Sequence, residues 1–201
     1  SNIAGGDGTT TWYSYVGQRL GAAQDPATTS PPNMYPRGVN IGLFDTEVTA
    51  NPTRAEQLAL GNSSNASENE WSLIPEGSGS LRAGSAVPYT DLYWAVVRID
   101  HHGDATVADD AYLFLNPNPA LEPAIGTALA SAIGVLDCSN LDYLRPFIGN
   151  ESSGRPFGVL AVDEIRLGGD YASMSAVPEP TTISLLALAG GLGLFLRRRR
   201  S

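Results

Sequence analysis

The densest set of groups that could do chemistry lies in a short polar stretch near the middle of the chain. It holds four carboxylates and two imidazoles within eleven residues, namely Asp100, His101, His102, Asp104, Asp109 and Asp110. Oxygen-rich loops bind calcium, and histidine pairs bind transition metals. Polar residues with a glycine also suit a hairpin connection, because apolar alternating runs flank this stretch on both sides. We favour the hairpin connection and retain calcium as the alternative, with Asp100, Asp104, Asp109 and Asp110 as candidate ligands.

A second pair of carboxylates, Asp163 and Glu164, stands close to Arg166 near the end of a predicted strand. Adjacent residues on a strand project to opposite faces, whereas glycosidic hydrolysis by two carboxylates needs both groups on one side of the sugar. Glu164 and Arg166 are two residues apart and share a face. This spacing predicts a structural ion pair between them.

Other nucleophiles and aromatic residues give weaker signals. The sequence contains no Gly-x-Ser-x-Gly motif, and Cys138 has no histidine close to it in sequence, so we interpret Cys138 as a buried or incidental thiol. Trp12, Trp71 and Trp94 could stack on sugar rings, but tryptophans at strand positions are more often core residues. We therefore predict no catalytic residue.

The elements that would position these groups are short strands. Five stretches rich in β-branched and aromatic residues predict strands at Thr10–Val16, Val39–Phe44, Tyr93–Ile99, Ala111–Leu115 and Val159–Leu167. In the last of them, Val159, Ala161, Asp163 and Ile165 are predicted on one face, with Leu160, Val162, Glu164 and Arg166 on the other. The stretch Ala124–Val135 is rich in Ala and Gly, and it predicts either a helix or a long loop.

Length and charge limit the classes of protein that remain. A chain of 201 residues has room for one globular domain. All twelve basic residues are Arg, and they are outnumbered by 21 acidic residues. This excess of negative charge argues against a nucleic-acid-binding protein. The chain opens on Ser1 without a signal-peptide pattern, from which we expect a truncated start.

The C-terminal tail reverses this charge. Sixteen uncharged residues, 181–196, lie between Val177-Pro178-Glu179-Pro180 and the cluster Arg197, Arg198, Arg199 and Arg200. A helix of this length spans about 24 Å at about 1.5 Å per residue, slightly less than the hydrocarbon core, and terminal Arg side chains can extend it. We predict a transmembrane helix whose Arg cluster stays on the cytoplasmic side, so that the body faces outward.

The order of these three parts resembles the PEP-CTERM sorting signal, with its Pro-Glu-Pro motif, transmembrane helix and terminal Arg cluster. The resemblance implies a bacterial protein recognised by an exosortase, a membrane-embedded processing enzyme. It implies export, attachment to the inner membrane before processing, and then a place at the cell surface or in the extracellular matrix.

The body resembles LamG-like, concanavalin A-like jelly rolls. The segments that carry the resemblance are TTTWYSYVG, LYWAVVRIDHHGDATVADDAYLFLNPNP and VLAVDEIRLGGDYASM, and the last contains the Asp-Glu-Ile-Arg pattern of Asp163 to Arg166. The resemblance implies an all-β fold, an antiparallel β-sandwich of two sheets. It also implies earlier strands, so we expect a body that is incomplete at its N-terminus.

Two domain-level units and two functions follow as predictions. Residues 1–176 form the β-sandwich body, and residues 177–201 form the sorting signal. The favoured function is an exosortase-sorted surface or matrix protein without catalytic activity, with extracellular polysaccharide as its candidate ligand. The alternative is a secreted glycan hydrolase or lyase whose catalytic residues lie in a missing N-terminal part, although the Glu-x-Asp-x-x-Glu strand pattern of jelly-roll glycosidases does not occur in the sequence.

Overall fold

The computed structural model describes residues 6, 8–20, 38–44, 56–62, 70–75, 81–104, 107–136, 138, 141–148 and 159–175 of the chain. These residues form ten β-strands and one turn of 3₁₀ helix at Ile125–Thr127. The strands are β1 (Thr10–Leu20), β2 (Val39–Phe44), β3 (Glu56–Asn62), β4 (Glu70–Pro75), β5 (Ala83–Pro88), β6 (Tyr93–Asp100), β7 (Asp109–Leu115), β8 (Ala130–Leu136), β9 (Tyr143–Ile148) and β10 (Val159–Gly168).

The strands pair in two antiparallel sheets of five. The first sheet has the order β10-β1-β6-β7-β8, and the second has the order β5-β4-β3-β2-β9. Side chains from the facing sides of both sheets form one buried apolar cluster, so the sheets pack face to face. The prediction of an all-β fold with two antiparallel sheets is confirmed, and their arrangement is sandwich-like.

Strand β1 shows how alternation sorts side chains between two environments. Tyr13 and Tyr15 face the second sheet and are fully buried, whereas Trp12 lies on the opposite face. The Tyr15 hydroxyl donates to the carbonyl of Leu60 on β3 at 2.9 Å and lies 2.9 Å from the Tyr89 hydroxyl. Burial raises the pKa of Tyr15 and of Tyr89, so both hydroxyls stay neutral while they link the two sheets.

The outer face of the first sheet carries a second apolar cluster. Its buried members are Trp12, Val96, Phe114, Tyr171 and Met174. Tyr171 and Met174 come from the segment that follows β10, so this segment folds back over the sheet. The first sheet is therefore covered on both sides over part of its area.

Strand β8 corrects the prediction for Ala124–Val135. The stretch contains one 3₁₀ turn and then β8, which pairs with β7 through Ala132 and Ala111, so the helix prediction and the loop alternative are both wrong there. The small side chains of Ala130 and Ala132 fit into the core cluster beside β7. Tertiary packing thus overrides the helix propensity of alanine.

Strand β10 also departs from its predicted pattern. Its pairing with β1 shifts register between Ser14, opposite Arg166, and Val16, opposite Asp163, so that Tyr15 faces two residues of β10. Glu164 lies within this bulge at a φ of 51°. Because the extra residue reverses the alternation, Leu160 and Leu167 both pack on the core although they are an odd number of positions apart in the sequence. The single unbroken alternation predicted for this strand is therefore wrong.

Candidate functional site

Strands β6 and β7 present a set of polar side chains on the outer face of the first sheet, here named the outer-face row: Arg98, Asp100, Asp110 and Tyr112. The register pairs Arg98 with Tyr112 and Asp100 with Asp110. Directly opposite side chains on neighbouring strands lie about 4.5–5.5 Å apart at Cβ. The Asp100 and Asp110 side chains keep 25% and 16% of their surface exposed, so the row is partly accessible to solvent.

Arg98 organises one half of the row. Its Nε donates to Asp100 Oδ1 at 2.6 Å, and Thr10 Oγ1 donates to the same oxygen at 3.0 Å. Its Nη1 donates to Glu122 Oε1 at 2.9 Å, and its guanidinium lies 5.7 Å from the centroid of the Trp12 ring. The arginine thus ties the row to the connection between β7 and β8.

Asp110 organises the other half. It accepts hydrogen bonds from the Gly134 backbone at 2.8 Å and from the Tyr112 hydroxyl at 3.4 Å, and His102 Nε2 lies 3.3 Å away. Burial, with a further contribution from the charge of Asp110, raises the pKa of Tyr112. The tyrosine therefore remains a hydrogen-bond donor at neutral pH.

An apolar groove adjoins the row. It has a volume of about 490 Å³, and its walls include Phe114, Pro117, Leu121, Pro123 and Leu129. Leu121 is 68% exposed. Glu122, the ion-pair partner of Arg98, also lines the groove, so the groove and the outer-face row form one continuous surface.

A buried chain of hydrogen bonds lies behind the row. His101 Nδ1 is 3.1 Å from Asp109 Oδ2, and His101 Nε2 is 2.9 Å from Thr11 Oγ1. The order of groups is that of a nucleophile, base and acid. However, Thr11 is only 2% exposed and His101 only 4%, so a substrate cannot reach the hydroxyl. We interpret this chain of hydrogen bonds as a structural link between β1 and the hairpin of β6 and β7.

The structure separates the four calcium candidates. Asp109 is buried, Asp100 and Asp110 belong to the outer-face row, and Asp104 is exposed in the connection. Within the ranges that the structure describes, no group of three or more His, Cys, Asp or Glu side chains could hold a metal ion. The four carboxylates therefore do not converge on one site.

The remaining sequence candidates divide between core and surface. Trp71 and Cys138 are fully buried in the core between the sheets, and Trp12 is 2% exposed on the outer face of the first sheet, where Tyr171 packs against it. Trp94 is half-buried, with its ring centroid 6.3 Å from that of Tyr171. None of Trp12, Trp71 and Trp94 belongs to the outer-face row.

The outer-face row was missed in the sequence as a unit. The calcium hypothesis from the sequence includes Asp100 and Asp110 but not Arg98, Tyr112 or Glu122. The alternation of Tyr93–Ile99 could have placed Arg98 on the solvent face, because Ala95, Val97 and Ile99 alternate with it. No local pattern connects Glu122 to Arg98, which lies 24 residues earlier.

Glu164 and Arg166, the predicted ion pair, are in contact. Arg166 Nη2 donates to Glu164 Oε2 at 2.8 Å, and Arg166 Nη1 lies 3.4 Å from the Met174 carbonyl. The Glu164 side chain is 37% exposed and that of Arg166 is 22% exposed. Strand β10 is one of the two edge strands of the first sheet among the described residues. The pair is thus a partly solvated contact at the rim of the fold.

Because the Glu164–Arg166 ion pair is partly solvated, we expect its loss to lower the stability of the body only slightly. Replacing Arg166 by Ala should lower the free energy of unfolding of residues 1–176 by less than about 1 kcal/mol, because partly solvated ion pairs are weak. Urea denaturation followed by tryptophan fluorescence measures the change, with Glu164→Gln as the matched variant. A loss of about 3–5 kcal/mol would instead indicate a buried pair.

The C-terminal sequence lies outside the described residues and matches a known sorting motif. Residues 176–200 match the family model described as the PEP-CTERM protein-sorting motif. The chain carries a PEP-CTERM sorting signal. The match includes Val177–Pro180, the apolar stretch 181–196 and Arg197–Arg200. No curated protein and no solved structure shows significant similarity to the chain.

The PEP-CTERM signal indicates an exported protein that is sorted by way of the membrane and processed by an exosortase. Among the described residues, no helix has the length and apolar character needed to cross a membrane. The predicted transmembrane helix at 181–196 lies outside those residues.

Proposed function

We propose that the body of this PEP-CTERM protein is a non-catalytic, LamG-like and concanavalin A-like β-sandwich that binds extracellular polysaccharide. Before processing, the helix at 181–196 holds the chain in the inner membrane with Arg197–Arg200 on the cytoplasmic side. After processing, the body remains at the cell surface or in the extracellular matrix.

The observation that carries the binding proposal is the outer-face row beside the apolar groove. Sugar rings offer hydroxyl groups at their edges and apolar C–H groups on their faces. Arg98, Asp100, Asp110 and Tyr112 supply donors and acceptors whose positions are fixed by their own hydrogen bonds. Preformed polar groups lose little conformational entropy on binding. The walls of the groove suit the apolar face of a neighbouring ring.

A hydrolase acting at the same place is the competing function, because Asp100 and Asp110 face each other on one side of the sheet. Hydrolysis requires one carboxyl group to act as a proton donor. Asp100 accepts hydrogen bonds from Arg98 and Thr10, and Asp110 accepts them from Gly134 and Tyr112. Both carboxyls therefore serve as acceptors, which favours binding over hydrolysis.

Co-sedimentation with a panel of insoluble polysaccharides tests the proposal, with reducing-sugar release measured on the same samples. We expect retention on at least one polysaccharide without sugar release. Tyr112→Ala should weaken retention about tenfold, the factor that corresponds to about 1.4 kcal/mol. Tyr143→Ala is the matched control, because Tyr143 is an exposed aromatic residue on β9 of the second sheet.

Two results would contradict the proposal. Sugar release that Asp100→Asn or Asp110→Asn abolishes would establish the hydrolase. Failure of every polysaccharide to retain the protein would indicate a sorted matrix protein without a glycan ligand.

A further inference from the structure

The last described segment of the chain, residues 169–175, is folded back against the outer face of the first sheet and is here named the latch. The Tyr171 ring lies 5.0 Å from that of Trp12, centroid to centroid, and the Tyr171 hydroxyl donates to the Asn118 carbonyl at 2.8 Å. Tyr171 is 5% exposed and Met174 is 2% exposed. The latch is thus packed on the body through two buried side chains.

Hydrogen bonds within the latch hold it in a turn. The Met174 backbone donates to the Tyr171 carbonyl at 3.0 Å, and the Ser173 backbone donates to Asp170 Oδ1 at 2.8 Å. The latch is therefore folded as a turn as far as Met174, its last buried side chain, and this part of it is not available as an extended peptide.

The sorting signal begins very close to this point in the sequence. Val177 is three residues beyond Met174, and Thr181, where the predicted membrane span begins, is seven residues beyond it. An extended chain covers at most about 3.6 Å per residue. The motif therefore starts within about 11 Å of the packed latch, and the membrane span starts within about 25 Å of it.

The body is large compared with this tether. A folded unit of the length of the body, residues 1–176, has a radius of gyration of about 16 Å. While the apolar stretch 181–196 is in the membrane, the body must lie close to the membrane surface. An enzyme embedded in that membrane has to reach Pro178-Glu179-Pro180 in the narrow space that remains, and recognition of an extended peptide uses main-chain hydrogen bonds and side-chain pockets along the bound segment.

We propose that the latch regulates processing: residues 169–175 detach from the outer face of the first sheet before exosortase binds the motif, and this opening limits the rate of processing. Surface segments held by a few side chains open locally without unfolding of the whole domain. The folded body thereby delays its own release from the membrane. This mechanism does not depend on a polysaccharide ligand.

Pulse labelling of the full chain in a host with the cognate exosortase tests the proposal, with the half-time of conversion to the processed form as the readout. A ten-residue Gly-Ser spacer inserted after Ser175 adds a separation of about 17 Å between body and motif. We expect the spacer variant and Tyr171→Ala each to shorten the half-time by at least about threefold, because both make the motif accessible without the native opening step. Tyr143→Ala should leave it unchanged.

Combining the two changes should give no further acceleration, because both act on the same step. The spacer leaves every residue of the body unaltered, so it decides the outcome even if Tyr171→Ala impairs folding. A spacer variant that is processed at the native rate, or more slowly, overturns the proposal. Processing of a reference chain with Pro178, Glu179 and Pro180 replaced by Ala also overturns it, because conversion then does not require the motif that the latch is proposed to withhold.

Discussion

Replacement of Pro178, Glu179 and Pro180 together by Ala should leave the protein unprocessed and held in the membrane of a host that contains the cognate exosortase. The triple change removes the Pro-Glu-Pro element of the matched sorting motif, on which we expect recognition by the enzyme to depend. The apolar stretch 181–196 and the Arg cluster are unchanged in this variant. Membrane insertion should persist while recognition is lost.

Fractionation followed by immunoblotting measures the result, since the unprocessed form is larger and stays with the membrane. The matched control replaces Thr181 and Thr182 by Ala, which alters two neighbouring residues but keeps the apolar character of the span. We expect normal processing of this control. Normal processing of the triple variant would show that the motif is not what the enzyme reads, and it would leave the apolar stretch 181–196 and Arg197–Arg200 as the remaining determinants.

The strands that could be predicted from the sequence are those in which local pattern and tertiary environment agree. Val39–Phe44 was predicted with the bounds that β2 has, and Tyr93–Ile99 differs from β6 by one residue. Both runs are rich in β-branched and aromatic residues. Such side chains suit a pleated surface that is buried on at least one face.

Strands with small or polar residues escaped prediction. β3, β4 and β5 each contain two or three of Glu, Ser, Gly and Pro, β9 is interrupted by Pro146, and β8 has the composition of a weak helix. Their extended conformation depends on pairing with neighbours that are distant in sequence. A propensity argument made on each segment alone cannot include that pairing.

The candidate site shows the same division. Asp100 and Asp110 were recognised as unusual, but their position opposite each other depends on the register of β6 and β7, which no motif in the connection specifies. The predicted position of Asp109 in the exposed connection is wrong for a reason that does not involve the register. Extending the alternation of Ala111–Leu115 by two residues toward the N-terminus places Asp109 on the core face, and its 5% exposure agrees with that position.

The buried position of Asp109 leads to the largest stability effect that we expect in the body. Its Oδ2 accepts hydrogen bonds from His101 Nδ1 at 3.1 Å and from the Cys138 backbone at 2.8 Å. Its Oδ1 accepts one from the His102 backbone at 3.1 Å. One carboxylate therefore serves three donors that come from the β6–β7 connection and from the chain beyond β8.

Asp109→Ala should lower the free energy of unfolding of residues 1–176 by about 3–5 kcal/mol, because each buried donor left without a partner costs about 1–3 kcal/mol. Asp109→Asn should cost less, because the amide keeps an acceptor oxygen for one or two of the donors. Urea denaturation at neutral pH, monitored by tryptophan fluorescence, gives both values.

Asp110→Ala is the matched control, since it removes the same side chain from the next position on the same strand. Asp110 is on the outer face, where water can replace it as the acceptor for its partners, so its loss should cost less than about 1.5 kcal/mol. A similar cost for Asp109→Ala and Asp110→Ala would mean that the Asp109 carboxylate does not hold the buried chain together. A large difference between adjacent aspartates would show that the core face of β7 begins at Asp109, in the stretch that the sequence presents as an exposed acidic connection.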